Sequence, residues 1–460
     1  MDFYSCLHWQ ARNPLYKTPL FKGALLQIVS GHDMSTYVMA REHADEQKTD
    51  LGPRLVIYPT RLVFYSLFSL AFCLSGILTM VDVIPYRMGL MALLVLPLTL
   101  LYGIKLDNVL IAYVLLAFVV VLSGLINSSS ASDMVLFLRI LVFSYLIYYL
   151  VERFVNRNNI EQIIKLCISI GLVQLPVIVF QRFTYDWLPN TIKENVSSID
   201  YDFGTFNFKG DGAMSFFLIL CVVFLLFDAR RNRFIKHRIW VVTWLTLTVL
   251  LANSDISKIL LVMVLLVYFA THLAQRASVT LMISVVLITG VSFVAGIRSD
   301  NGDKFQRLYA STIAGLQGDP RAVNYYLEGG YSRGGAIYYY LHNKVLWLGD
   351  GPNRYSDPFT FQRFRGNVGH IFTFYSEVGL WGWILSMAIF FLIVFSPRRG
   401  LLRVNLYSIL LLLCVLGMSF THQVMNDISV VMILCIMAKT HLIPSLPVGN
   451  NQRVGFGVVE

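Results

Sequence analysis

Long apolar runs recur throughout this 460-residue chain and limit the folds that it can adopt. Runs of about 18 or more apolar residues are long enough to cross the hydrocarbon core of a bilayer as helices. Only 14% of the residues are charged, whereas an average soluble domain has about 25%. Together these features predict an all-α polytopic membrane protein.

The apolar runs predict about twelve transmembrane helices. An N-terminal tail (1–60) precedes the helical bundle (61–443), and a C-terminal tail (444–460) follows it. The first span is also the predicted insertion signal, because residues 1–53 contain no cleavable signal sequence. The predicted spans are 62–80, 87–103, 109–126, 134–151, 161–180, 212–228, 239–252, 257–272, 279–297, 370–395, 404–420 and 427–443.

Lysine and arginine are distributed unevenly between the connections of these spans. The segments 228–238 ("DARRNRFIKHR") and 396–403 ("SPRRGLLR") are rich in them, whereas 127–133 and 422–427 contain none. Short basic connections remain on the cytoplasmic side of a membrane. This bias predicts that both termini are cytoplasmic, in an inner membrane if the chain is bacterial.

Two segments on the predicted outer side are long, one over 181–211 and the other over 298–369. The larger contains nine basic residues, but long loops translocate largely regardless of charge. Within it, 303–318 has apolar residues at helical spacing and 334–349 is apolar and aromatic. We therefore predict a large outer loop that contains short helices.

A histidine and a glutamate lie at the start of the predicted tenth span, in "GHIFTFYSEVGLWGW" (369–383). Glu377 follows His370 by seven residues, hence on the same helix face and about 10 Å deeper. A histidine at this boundary can accept a proton from a sugar hydroxyl, and a carboxylate at that depth needs a polar partner. The alternative is structural: loop carbonyls satisfy His370, and Glu377 holds a neighbouring helix.

Two cations lie near the predicted outer ends of spans. Arg139 follows Asp133 by six residues in span four, and its planar fork suits phosphate oxygens, although it could instead reach the lipid headgroups. Lys258 lies with Asp255 in the short turn "SDISK" (254–258). A lysine at a helix start is slightly unfavourable, so either an anionic ligand or simple helix capping can explain it.

Arginines and aromatic residues are interleaved in the two long outer segments. Arg182 follows span five, and Arg333 and Arg354 lie in the larger loop. Guanidinium groups for phosphates, beside aromatic faces for sugar rings, are what a lipid-linked glycan requires. A solvated loop surface is the alternative for each arginine.

Several common signals are missing from the sequence. It contains no GxGxxG or Walker pattern, so no nucleotide is predicted. The first outer connection, "VDVIPYR" (81–87), has a single acid and no Asp-x-Asp pair, which argues against a metal-assisted glycosyltransferase. The six cysteines have no ligand spacing, so neither a metal centre nor a disulfide is predicted. No cofactor and no nucleic acid partner is expected.

Three stretches together resemble the bacterial O-antigen ligase/polymerase superfamily. They are "SRGGAIYYYLHNKVLWLGDGPNRY" (332–355), "GNVGHIFTFYSEVGLWGWIL" (366–385) and "FGTFNFKGDGAMSFFLIL" (203–220). Two positions depart from the family pattern: Lys258 replaces its usual arginine, and Ile371 replaces the asparagine of its His-Asn pair. The positions that match are Arg333, Gly349, Gly351, Pro352, His370, Glu377, Gly379, Leu380 and Gly382, with Gly204, Phe206 and Ala213 in the third stretch.

The resemblance implies a GT-C-like, metal-independent, inverting membrane glycosyltransferase. Such proteins use an undecaprenyl-pyrophosphate-linked oligosaccharide at the periplasmic face, where arginines hold the pyrophosphate and a histidine activates or orients the acceptor hydroxyl. It implies catalytic roles for His370 and Arg333. The implied pyrophosphate- or substrate-binding residues are Arg139, Arg182, Lys258, Arg354 and Glu377.

The acceptor distinguishes three functions that share this chemistry. A second lipid-linked repeat unit makes the protein a polymerase of O-antigen or exopolysaccharide, lipid A core makes it a ligase, and a protein serine makes it an O-oligosaccharyltransferase. We favour the polymerase, with a chain-length regulator and a flippase as candidate partners. A transporter of the same lipids predicts inverted repeats and broken helices, which are not evident in the sequence, and an envelope scaffold predicts that His370 and Arg333 are replaceable.

Overall fold

The structure, a computed structural model, describes residues 59–76, 91–187, 201–206, 211–228, 237–252, 254–272, 347–353, 369–395 and 404–442, with the single residues 235, 313 and 317. Every regular element in these ranges is helical, which confirms the predicted all-α class. The α-helices are α1 (Pro59–Ser69), α2 (Leu96–Tyr102), α3 (Asn108–Ile126), α4 (Ala131–Phe154), α5 (Ile160–Thr184), α6 (Asp211–Phe227), α7 (Arg238–Leu251), α8 (Asp255–His272), α9 (His370–Phe395), α10 (Leu406–Ser419) and α11 (Ile428–Leu442).

Shorter turns extend several of these helices. A π-helical turn (Leu70–Leu74) continues α1, and 3-10 turns precede α2 (Met91–Val95), follow α5 (Tyr185–Trp187) and precede α11 (Val424–Asn426). They lie where the main helices begin or end, as 3-10 turns commonly do.

Five of the described helices are long and apolar enough to cross a membrane. They are α3, α4, α5 with its 3-10 turn, α8 and α9, the last counted over its whole length. The other described apolar helices, counted with their adjoining turns, have 10–17 residues. All of these helices lie at predicted spans. The predicted span 279–297, the two tails and all of the large outer loop except 313, 317, 347–353 and 369 lie outside the described residues, so the number of spans stays a prediction.

Helix α6 forms the centre of the bundle. Every side chain from Ala213 to Leu226 is at most 3% exposed. The helix packs against α5, α7, α8, α10 and α11. A helix that is apolar on all sides requires such a surrounded position.

Helix α3 lies at the periphery and presents large apolar side chains outward. Val114, Leu115 and Phe118 are among its exposed residues. An apolar outer surface of this size is typical of a protein that is embedded in lipid.

Helix α9 is not continuous, in contrast to the predicted single span 370–395. Gly379 has a non-helical conformation with φ +83° and ψ −169°, which glycine adopts without a Cβ clash. The ring centroids of His370 and Phe390 are 5.2 Å apart, whereas residues separated by 20 positions in a straight helix lie about 30 Å apart. The chain therefore reverses at Gly379, and the first arm (370–378) folds back along the second (380–395). This break is not evident in the sequence.

Short connections gather at one end of the bundle, which we term the upper end. They are 127–130 between α3 and α4, residues 252 and 254 between α7 and α8, and 420–427 between α10 and α11. The first arm of α9 lies beside the last of these, because the His370 amide donates a hydrogen bond to the His422 carbonyl over 3.0 Å. Two predicted site residues, His370 and Glu377, thus lie at this end.

Candidate functional site

The break in α9 is completed by the segment 347–353. A helix end leaves backbone carbonyls without intrahelical partners, and here the amides of Asp350 and Gly351 donate to the carbonyls of Ser376 (2.8 Å) and Glu377 (3.1 Å). These bonds replace the ones that a continuous helix would have made. The segment and the break therefore form one structural unit.

Two glycines allow this close approach. A Cβ on Gly379 would lie 2.4 Å from the amide nitrogen of Gly349, and a Cβ on Gly349 would lie 2.4 Å from the carbonyl carbon of Glu377. Both also have positive φ, +83° and +70°. Gly349 in the "LGDG" motif and Gly379 in the "EVGLWG" motif are thus required to be glycine, both by the close backbone contact and by their backbone conformation.

Glu377 is buried and holds several groups together. Its carbonyl also accepts from Ser123 Oγ over 2.9 Å, and its carboxylate Oε2 accepts from the Asn353 amide over 2.7 Å. The Asn353 side chain in turn donates to Asp133 Oδ1 over 2.8 Å. A buried carboxylate requires such partners, and these bonds favour the structural interpretation of Glu377 over direct substrate binding.

His370 is the first residue of the first arm of α9 and is 1% exposed. Its ring lies between Phe374, with centroids 4.2 Å apart, and Phe390. The Nε2 atom is buried and has no hydrogen-bond partner among the described residues. Burial of a polar nitrogen without a partner lowers the stability of the folded state. The packing of the His370 ring between Phe374 and Phe390 must therefore compensate for this loss.

A second histidine, which we did not predict as a site residue, lies next to it. His422 Nε2 is 3.1 Å from Asp427 Oδ2, and the other carboxylate oxygen accepts from the amide (2.9 Å) and the hydroxyl (2.5 Å) of Ser429 at the start of α11. Burial alone would raise the pKa of the Asp427 carboxyl, but the hydrogen bonds from His422 and Ser429 keep that pKa below its ordinary value. Asp427 is thus an ionised, fixed acceptor for the imidazole.

Three elements meet beside the free edge of the His422 ring. A Cβ at Gly212, near the start of α6, would lie 3.8 Å from His422 Nδ1 and 3.8 Å from Ser254 Oγ in the α7–α8 turn. The Ser254 hydroxyl also lies 2.8 Å from that of Ser257. His422 Nδ1 therefore lies near α6 and the α7–α8 turn, and the side chain of Met418 from α10, whose Cε lies 2.9 Å from the same Cβ position, shares this region.

Arg182, predicted to bind pyrophosphate, already has a carboxylate partner. Its Nε and Nη2 donate to Asp202 Oδ2 over 2.9 and 2.6 Å, and Nη2 also bonds to the Leu251 carbonyl. Asp202 is only 4% exposed. The arginine thus joins the end of α5 to the segment 201–206 and the end of α7, which is a structural arrangement.

The other predicted cations have different environments. Lys258 forms a surface ion pair with Asp255 at 3.4 Å, and pairs of this kind contribute little stability. Arg139 is partly buried in α4, two residues after Phe137, whose ring contacts Phe374. Arg333 and Arg354 lie outside the described residues, so the complete pyrophosphate clamp stays a prediction.

Comparison of the chain with protein-family models, curated proteins and solved structures finds no match. The resemblance therefore depends on the sequence motifs alone. Among the described residues, no group of three His, Cys, Asp or Glu side chains is arranged to hold a metal ion. The site at the upper end consists of two histidines, one of them paired with a carboxylate, beside the broken helix.

Proposed function

We propose that the chain is a membrane glycosyltransferase that polymerises undecaprenyl-pyrophosphate-linked oligosaccharide repeat units into O-antigen or exopolysaccharide. The observation that carries the proposal is the position of the resemblance motifs. Gly349, Gly351, Glu377 and Gly379 contact one another in one unit, and the adjoining arm leads to His370 and His422. Residues that are separate in the sequence thus converge beside groups capable of proton transfer.

The reaction in this proposal is an inverting displacement. A sugar hydroxyl of the acceptor attacks C1 of the donor glycan, the bond between C1 and the pyrophosphate oxygen breaks, and undecaprenyl pyrophosphate leaves with the bonding electrons. Cations beside the leaving group stabilise the charge that develops there. Arg333 is the first candidate for this role, with Arg139, Lys258, Arg182 and Arg354 as further candidates.

The same chemistry suits a ligase or an O-oligosaccharyltransferase, which differ only in the acceptor. The proposal places the site at the periplasmic face of a bacterial inner membrane, where the acceptor is the next repeat unit. A flippase and a chain-length regulator are the partners that such a polymerase would need. The nature of the product distinguishes these functions.

A transporter of lipid-linked glycans is the second candidate, and one specific observation favours it. Helix α9 is broken at Gly379, and broken helices at depth are typical of transporter binding sites. A transporter moves its substrate without breaking the bond between C1 and pyrophosphate. Release of undecaprenyl pyrophosphate therefore separates the two proposals.

The test uses the purified full chain in liposomes with undecaprenyl-pyrophosphate-linked repeat units extracted from the cells that encode it. We expect a ladder of glycans that differ by one repeat, with one undecaprenyl pyrophosphate released for each bond formed. Arg333→Ala should decrease both signals, while Arg157→Ala, in the short α4–α5 connection, serves as a control arginine. Movement of lipid between leaflets without any release would contradict the polymerase and support the transporter.

A further inference from the structure

We propose that His422, oriented by Asp427, is the group that takes the proton from the acceptor hydroxyl. The inference rests on the proposed glycosyl transfer and names a residue that neither the motifs nor the resemblance identified. It is carried by three observations: the access to the His422 ring, the proton position that Asp427 imposes, and the packing around the free nitrogen.

The two histidines at the upper end differ in solvent exposure. The His422 side chain is 25% exposed, whereas His370 is 1% exposed and enclosed by Phe374 and Phe390. A general base must come within hydrogen-bond distance of the proton that it removes. The His422 side chain is open to approach from outside the protein, whereas the His370 ring is enclosed.

Asp427 determines which nitrogen of His422 is basic. A carboxylate only accepts hydrogen bonds, so the 3.1 Å contact places a proton on Nε2, and the neutral imidazole then has its lone pair on Nδ1. The two bonds from Ser429 fix the carboxylate at the start of α11. A fixed acid, an oriented imidazole and a free ring nitrogen form the arrangement that activates hydroxyl groups in many transferases and hydrolases.

The free nitrogen faces a place where a hydroxyl can approach. No described residue forms a hydrogen bond with Nδ1. The neighbouring position on α6 is Gly212, and Met418 Cε lies 2.9 Å from where a Cβ on Gly212 would stand, so an acceptor hydroxyl would approach past this flexible methionine side chain. Ser254, whose Oγ lies on the other side of the same position, is a second polar group for the acceptor. The acceptor sugar would therefore enter between α6 and the α10–α11 connection.

The proton transfer completes the balance of the reaction. The acceptor O–H bond breaks as its oxygen bonds to C1 of the donor, and the proton moves to His422 Nδ1. The imidazolium keeps its Nε2–H bond to the Asp427 carboxylate, which stabilises the positive charge. Undecaprenyl pyrophosphate leaves as the anion, and the proton is later lost from the imidazolium to water. His370 acts as a positioning residue, since its amide holds the His422 carbonyl.

The first test compares His422→Gln and His422→Ala with the matched control His272→Gln at the far end of α8. We expect kcat for undecaprenyl pyrophosphate release to fall about 100- to 10,000-fold in both His422 variants, with little change in KM and none in the control. Added imidazole should partly restore the activity of His422→Ala, which a purely structural defect would not allow. The His370 amide bonds to the His422 backbone, so these variants retain that contact.

The outcomes separate the two proposals. If the wild-type protein moves lipid but releases no undecaprenyl pyrophosphate, both the proposed glycosyl transfer and the proposed role of His422 and Asp427 are wrong. If the wild type is active and His422→Gln is equally active, only the proposed role of His422 and Asp427 is wrong. Loss of activity without any rescue of His422→Ala, in a variant that unfolds earlier than wild type, likewise assigns His422 a structural role and overturns the proposal.

A second test needs no glycan. Diethyl pyrocarbonate reacts with unprotonated, accessible imidazole nitrogens, so His422 should be modified in the folded full chain while His370 is protected, as read by peptide mass spectrometry. Asp427→Asn should also decrease kcat by a similar factor, because its amide can donate to Nε2 and leaves the proton on Nδ1. Equal protection of both histidines, or a fully active Asp427→Asn variant, would contradict the proposal.

Discussion

The site residues at the upper end differ in how readily the sequence alone identifies them. His370 is identified by its position at the start of an apolar run, and the structure indeed places it at the upper end beside the break. His422 and Asp427 are five residues apart in the polar connection "HQVMND", where nothing in the sequence indicates that the chain turns back to join them. The pair becomes visible only when the structure shows how this single connection folds on itself through the 3-10 turn Val424–Asn426.

Gly379 offers a sharp test at the residue scale. Gly379→Ala adds the strain of positive φ and a Cβ at 2.4–2.5 Å from the backbone of 347–349. Gly103→Ala, the matched control, has φ +69° but nothing within 4 Å, so it adds only the strain, of about 1–3 kcal/mol.

We expect the Gly379 variant to lose distinctly more stability than the Gly103 variant, because backbone atoms cannot move aside as a flexible side chain can. Thermal unfolding in detergent, followed by size-exclusion chromatography, measures the difference. Equal stability of the two variants would mean that the contact between 347–349 and the break is loose.

At the scale of elements, the sequence predicts helices better than their interruptions. The helices α3 to α8 begin and end within four residues of the predicted spans, because apolar run length and polar connections define them locally. The break in α9 is not evident in hydropathy, since Glu377 is the only charged residue between 371 and 395 and the run as a whole is apolar. Its cause is the segment 347–353, which is distant in sequence and supplies the missing backbone bonds.

The ion pair between Arg182 and Asp202 permits a test of how elements are joined. Removing Arg182 leaves a nearly buried carboxylate without its partner, and hydrogen bonds to charged groups contribute about 1.5–3 kcal/mol each. Arg182→Ala should therefore destabilise the protein by at least this amount, and Arg182→Ala/Asp202→Ala by less than the sum of the single changes.

Lys165→Ala is the control, because Lys165 forms an exposed pair with Glu161 on α5 and should cost about 0.3–0.5 kcal/mol. Urea unfolding in mixed micelles measures all four variants. Additive single changes would show that Arg182 is not engaged by Asp202, and its predicted role as a pyrophosphate ligand would then gain support.

For the whole molecule, composition alone indicates a helical membrane protein, and alternation of helix direction places the short connections at one end. Composition does not reveal which residues surround α6, because any apolar helix could occupy the centre. Nor does it locate the acceptor path, which depends on Gly212, Ser254 and His422 meeting across three elements. The membrane orientation comes only from the distribution of Lys and Arg, so it needs a direct experiment.

Orientation can be measured with single cysteines in a cysteine-free background. Ser132→Cys lies near the α3–α4 connection and Lys105→Cys lies between α2 and α3; both positions are exposed and α3 separates them. We expect a membrane-impermeant maleimide to label position 132 in intact cells and position 105 only after permeabilisation. Labelling of both before permeabilisation would mean that α3 does not span the membrane. The reversed result would place His370 and His422 at the cytoplasmic face, and a polymerase acting on periplasmic lipid-linked glycans would then have no site in this bundle.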